Sequence, residues 1–246
     1  MNKVRTVSDT KRDFYNRHTR PVNSIYRRFV EELMVEMHLL SVNVDFRYDP
    51  IYALGVVTSF NRFMQGYRPP QDQESIFNAL CQSVGQEAQQ YHQDAELLKR
   101  LSGRISADEL VSWFGSPKPL DAVGDFHNTV AAIANNPKFK YSRLFAIGLY
   151  TLLEQADSEL VKDEKLLTEA LKQIAQALNL PEEKSQKDLE LYSSNLEKMA
   201  QAQSVIEDVI KAERKKREQR AQAQNKVATE STEDSAKDET SSSEAS

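Results

Sequence analysis

The sequence predicts an all-α protein: a helical bundle followed by a long C-terminal helix and a disordered acidic tail. Three observations carry this expectation. Glycine is scarce, 7 among 246 residues, whereas sheet proteins need glycine at positive φ in their many tight turns. Apolar residues recur at steps of three and four, the period of one helix face. Cap residues, prolines and glycines fall at the ends of those stretches in the order that helices use.

The first helix is read from Ser8 to Arg17, with Ser8 or Asp9 as its cap. Pro21 then suits a first helical turn. From Val22 the apolar positions Ile25, Phe29, Leu33, Met37 and Leu40 share one face. Arg27, Arg28, Glu31, Glu32 and Glu36 lie opposite, which makes an amphipathic helix of about five turns. Asp49-Pro50 opens the next helix, which stops at Gly66 with Pro69-Pro70 beyond. Ile51 to Phe60 is apolar on more than one face, so this helix is expected at the centre. Residues 71–102 read as one helix or a broken pair with Gly85 as the weak point, ended by Gly103.

Ser106 and Glu109 form a capping box for a short helix carrying Trp113 and Phe114. Ser116-Pro117-Lys118-Pro119 is a loop. A helix is expected from Leu120 to about Asn135, where Asn135-Asn136-Pro137 stops it. Tyr141 to about Asp157 is the most apolar helix, and another is expected from about Ser158 to Leu178.

Leu180-Pro181-Glu182-Glu183 marks a new start, with proline and acids in the first turn. Leu189, Tyr192, Leu196, Met199, Gln203, Ile206 and Ile210 then follow a heptad seam with one polar position. Such a seam either pairs with another chain or lies along its own domain. Lys211 to Arg220 extends it as a basic helix with nothing to bury. Thr229 to Ser246 lacks any large apolar residue and cannot offset its ordering entropy. The expected organisation is a helical core over 1–180, a long helix over 181–225 and a disordered tail over 226–246. No internal repeat is visible.

Composition narrows the function. The single cysteine, Cys81, allows no internal disulfide and suits a reducing compartment. No apolar signal-peptide core stands at the N-terminus, and no window approaches the ~20 apolar residues that span a bilayer. The net charge of −5 is segregated: residues 1–30 hold eight basic and two acidic side chains, 211–220 six and two, and 229–246 one and six. Such segregation favours oriented docking.

Catalytic constellations are missing. The residues three before His18, His38, His92 and His127 are Tyr15, Val35, Gln89 and Gly124, so no Glu-x-x-His di-iron pair exists. Phosphate-cradling glycine loops and a Gly-x-Ser-x-Gly elbow are also missing. The expectation is a protein that is not an enzyme and takes no metal or cofactor. Arg214, Lys215, Lys216 and Arg217 lack interleaved aromatics, so nucleic acid is not expected. That stretch reads as a solvated helix end or as a contact for anionic headgroups. Tyr15, Arg17, Arg27 and Arg28 crowd the front of the chain among other aromatics. Such residues dominate interfaces, and serve equally as core and internal ion pairs. These two clusters are the candidate partner-binding residues.

Thr6 to Lys11, Phe14 to Pro21 and Tyr26 to Leu33 resemble the opening of the thylakoid formation protein family, the photosystem II biogenesis proteins of the twenty-nine-kilodalton class. Tyr48 to Gly55 and Phe60 to Pro69 resemble it too, and the likeness extends more loosely to about residue 215 without the acidic tail. The resemblance implies an all-helical, non-enzymatic accessory factor for thylakoid biogenesis and photosystem II repair. It implies association with the membrane-bound FtsH protease complex, with photosystem II components and peripheral contact with the membrane as further expectations. The expected location is the cytoplasmic side of the thylakoid membrane, soluble or peripheral. The family pattern begins by Thr6 without a transit peptide before it, so a cyanobacterial member is expected. A rival reading is a pigment- or lipid-binding helical protein, with Leu144 to Leu153 lining an apolar pocket.

Overall fold

The structure, a computed structural model, describes residues 5–119 and 125–238. The chain divides into two compact units, Met1–Glu197 and Lys198–Ser246. Every regular element among the described residues is helical.

The first helix, α1, spans Val7–Arg17. Its cap is Thr6, not Ser8 or Asp9. The Thr6 hydroxyl accepts the Asp9 N–H at 3.2 Å, and the Asp9 carboxylate accepts the Thr6 N–H at 3.1 Å. This reciprocal box satisfies two otherwise orphaned donors, which a cap further along the chain would forgo. Pro21 stays outside the next helix: α2 runs Ser24–Ser41 and is capped by Asn23. Its buried face is Tyr26, Val30, Leu33, Met34 and Met37, while Ile25 and Phe29 are half-buried. The face is rotated from the expected stripe because α2 packs on both α1 and the central helix. That arc takes in Tyr26 and His38, whose polar atoms find partners: Tyr26 Oη donates to the Gln65 carbonyl at 3.2 Å, and His38 Nδ1 lies 2.9 Å from Thr10 Oγ1.

The central helix α3, Pro50–Phe63, begins as expected, with Asp49 accepting the Tyr52 N–H at 2.9 Å. Residues Ile51 to Phe60 are buried all round. The helix rests on α8, Arg143–Ala156, which Ser142 caps. Two glycines permit backbone-to-backbone contact there. A Cβ on Gly55 would stand 1.7 Å from the Leu144 carbonyl oxygen, and one on Gly148 would stand 2.0 Å from that of Ile51.

Residues 71–102 form the broken pair, α4 Gln71–Ser83 and α5 Ala88–Ser102, with Gly85 between them at φ +77. The Ser106–Glu109 capping box opens α6, Ala107–Gly115. Trp113 Nε1 donates to the Lys118 carbonyl at 2.9 Å and ties down the following loop. The next helix, α7, is Phe126–Ala134. Its expected first turns, at 120–124, lie outside the described residues.

The single helix expected from Ser158 to Leu178 is divided. A 3-10 turn at Leu160–Lys162 precedes α9, Glu164–Ala177. Asp163 restarts the helix by accepting the N–H groups of Lys165 and Leu166, at 2.9 and 3.2 Å. The end of α9 turns through Asn179 at φ 55, and the Leu180 N–H returns to the Ala175 carbonyl at 2.8 Å.

The last helix, α10, runs Glu182–Asp238. Its first turns belong to the first unit, which ends at Glu197. Leu189 and Tyr192 are buried there, and the Tyr192 ring lies 5.9 Å from that of Phe63. The first two positions of the heptad seam therefore serve the chain's own core. In the second unit Val205 and Val209 are 63% and 53% exposed. The Ile210 side chain lies outside the described residues. No proline or glycine interrupts the chain after Pro181. Residues 239–246 lie outside the described residues.

Candidate docking surface

The front of the chain separates into core and surface. Phe14 and His18 are buried, and two histidine contacts help fasten α1. Thr10 meets His38, and His18 Nδ1 lies 2.9 Å from Ser75 Oγ on α4. Burial pushes the pKa of both imidazoles below the ordinary histidine value.

The four front candidates do not share one surface. Tyr15 is half-buried and donates to Glu31 at 2.8 Å. Burial and that carboxylate push its phenol up to about 12. Arg17 is exposed; it reaches Asp13 one turn back on α1 at 3.1 Å and Gln82 of α4 at 2.9 Å. Arg27 and Arg28 point into another place, an open groove of ≈ 1100 Å³ along the outer face of α2. Its far wall is made by Lys140 to Arg143, at the start of α8, and by Lys184 and Asp188 of α10.

The groove is ordered by ion pairs. Arg28 reaches Glu32 at 2.8 Å, Arg143 reaches Glu36 at 2.6 Å, and Lys11 reaches Glu31 at 2.9 Å. The Lys11 ammonium, with help from Tyr15, holds the Glu31 carboxyl below the usual carboxylate range. Val35 and Leu39 sit on the same face, 36% and 55% exposed. Arg27 and Arg28 are among the candidates read from the sequence, whereas Val35, Leu39, Lys140 and Lys184, which line the same groove, are not. The signal for the first pair was present, since residues 27, 31, 35 and 39 fall on one helical row. The lysines come from distant parts of the chain and gave no local sign.

The second cluster, Arg214, Lys215, Lys216 and Arg217, lies on α10 in the second unit. All four residues are exposed, and Arg214 pairs with Glu218 at 3.0 Å. The described residues hold no group of three or more metal-ligating side chains with suitable geometry.

The thylakoid formation protein family matches this sequence over residues 6–221. The chain belongs to that family. It is 64% identical to Protein Thf1 of Nostoc punctiforme over 222 residues, which cover 90% of this chain and 94% of that one. It is 62% identical to Protein Thf1 of Gloeothece citriformis over 220 residues, covering 89% and 97%. The solved structure of Psb29 at 1.55 Å superposes with a TM-score of 0.76 at 46% identity, covering 87% of this chain and 98% of that one. Membership ties the chain to thylakoid formation, and the family is named for that role and not for a reaction. Among the described residues no helix is long and apolar enough to cross a membrane.

Proposed function

We propose that this chain is a non-enzymatic accessory factor that binds and stabilises the membrane-bound FtsH protease complex, and thereby supports photosystem II repair. It acts at the cytoplasmic side of the thylakoid membrane, with photosystem II components as further partners. The FtsH complex enters through the family resemblance. The observation that carries a docking role is the groove beside α2, where charged side chains and two exposed apolar ones stand together on a rigid helix. Such a mixed, partly apolar surface is what protein partners bury. The exposed basic run at Arg214 to Arg217 supplies a second charged surface.

Tagged protein recovered from solubilised photosynthetic membranes should bring FtsH subunits with it, well above an unrelated helical control. Recovery equal to the control would reject the docking reading.

The pigment- or lipid-binding reading has a weaker footing. Leu144 to Leu153 is spent on packing against α3 and α5. An apolar crevice does lie between α9 and the start of α10, lined by Leu167, Leu171 and Leu189. Its volume of ≈ 240 Å³ falls below the roughly 300–1,000 Å³ of ordinary ligand pockets. Lipid extracted from the purified protein, or visible absorbance, would favour that reading.

A further inference from the structure

We infer that the groove along α2 receives an acidic amphipathic helix of a partner protein, with its carboxylates toward Arg27, Lys140 and Lys184 and its apolar side chains toward Val35 and Leu39. The inference rests on the docking reading for where the partner comes from, not for the chemistry of the groove.

Charge decides the sign of the partner. The four carboxylates lining the groove are all engaged: Glu31 by Lys11 and Tyr15, Glu32 by Arg28, Glu36 by Arg143, and Asp188 by the Tyr141 hydroxyl at 2.9 Å. Three cations remain. Arg27, Lys140 and Lys184 line the groove, are exposed, and form no ion pair among the described residues. Lys184 Nζ rests 5.2 Å from the centre of the Tyr141 ring, which fixes it over the groove without neutralising it. The Tyr141 hydroxyl is a neutral donor, so Asp188 keeps its charge; the five lining cations, with Lys11 beside them, still outnumber the four carboxylates, and this net positive charge favours an acidic occupant.

Shape decides the form of the partner. Arg27, Glu31, Val35 and Leu39 follow one another at four-residue steps on α2. At 1.5 Å per residue this row is about 18 Å long, roughly three turns of an opposing helix. Arg27 stands at one end of it, and Lys140 and Lys184 belong to the wall whose Arg143 pairs with Glu36. At its other end stands Leu39, 55% exposed, with Val35, 36% exposed, one turn before it. A small anion would satisfy the cations and leave these apolar groups in water. A helix that carries both carboxylates and leucine-like side chains satisfies both.

The test uses the full chain and a labelled peptide of about four helical turns, with leucine on one face and glutamate elsewhere, followed by fluorescence anisotropy. The same peptide with lysine for glutamate is the control. The glutamate peptide should bind in a salt-dependent way, about tenfold or more tighter than the lysine peptide. Arg27→Glu, Lys140→Glu and Lys184→Glu together should weaken it about tenfold or more, with helical circular dichroism unchanged because all three residues are exposed. Leu39→Ser should weaken it severalfold. Equal binding of the two peptides, or indifference to the triple substitution, overturns the inference. So does a third pattern, in which phosphatidylglycerol vesicles bind through the three cations and the glutamate peptide does not bind; the occupant is then an anionic membrane. Because the assay contains only purified chain and peptide, its failure is distinct from a failure to recover FtsH from membranes.

Discussion

The crossing of α3 and α8 and the stretch of α10 after Glu197 are both helical, and they are helical for opposite reasons. At the crossing, side chains are buried all round, and two glycines let one backbone lie against the other's carbonyl oxygens. Beyond Glu197 the helix carries exposed Val205 and Val209 and a run of exposed basic residues. There the backbone is kept helical by local bonds and by the lack of any breaker after Pro181. Tertiary packing specifies the first region, and local propensity sustains the second. Substitutions should therefore be costly in one and nearly free in the other.

The largest effect is expected at Gly55→Ala. The added methyl would stand 1.7 Å from a backbone oxygen that cannot rotate aside. The two helices must part, and we expect a loss of about 3 kcal/mol or more in urea unfolding. A loss below about 1 kcal/mol would mean that the crossing is more pliable than its geometry implies.

The cap of α3 comes next. Asp49 is buried, and burial pushes its carboxyl up to about 7. Asp49→Ala removes the acceptor for the Tyr52 N–H and should cost about 1–2 kcal/mol. Asp49→Asn keeps an acceptor and should cost much less. Because the folded-state pKa is raised, the contribution of protonated Asp49 is present below about pH 4, is lost as pH rises toward about 7, and changes little above that. Asp49→Asn should therefore gain on the wild type between about pH 4 and 7.

The two histidines fastening α1 respond the other way. His18 and His38 hold a proton more weakly when folded, because burial disfavours the imidazolium. The unfolded chain binds more protons below about pH 6.5, so their contribution is present above that value and lost as pH falls through it. Urea midpoints at pH 7.5 and 5.5 should show this loss, and His38→Gln should show less of it. Identical pH dependence in the two proteins would contradict the assignment.

The smallest effect is expected at Val205→Ser with Val209→Ser, within about 0.5 kcal/mol in a monomeric chain. A larger loss that depends on protein concentration would show that the heptad seam pairs between chains.

Much of the fold was legible because its punctuation is local. Asp49-Pro50, Gly66, Gly85 and the Ser106–Glu109 box each act within a few residues. Three features were not, for three reasons. Thr6 and Asp163 compete with neighbouring serines and aspartates as caps, and only the realised geometry selects between them. The rotation of the buried face of α2 follows from packing on two sides at once, which no single period expresses. The groove is the third case: Arg27 and Arg28 stood out as a cluster, but Lys140 and Lys184 face them only because α8 and the start of α10 fold back beside α2.

The most direct test of the central claim is recovery of FtsH subunits by two charge-swapped chains. One carries Arg27→Glu and Arg28→Glu; the other carries Arg214→Glu, Lys215→Glu, Lys216→Glu and Arg217→Glu. The account predicts that each change lowers recovery from solubilised membranes severalfold while helical content holds. Undiminished recovery by both would contradict docking through either basic surface.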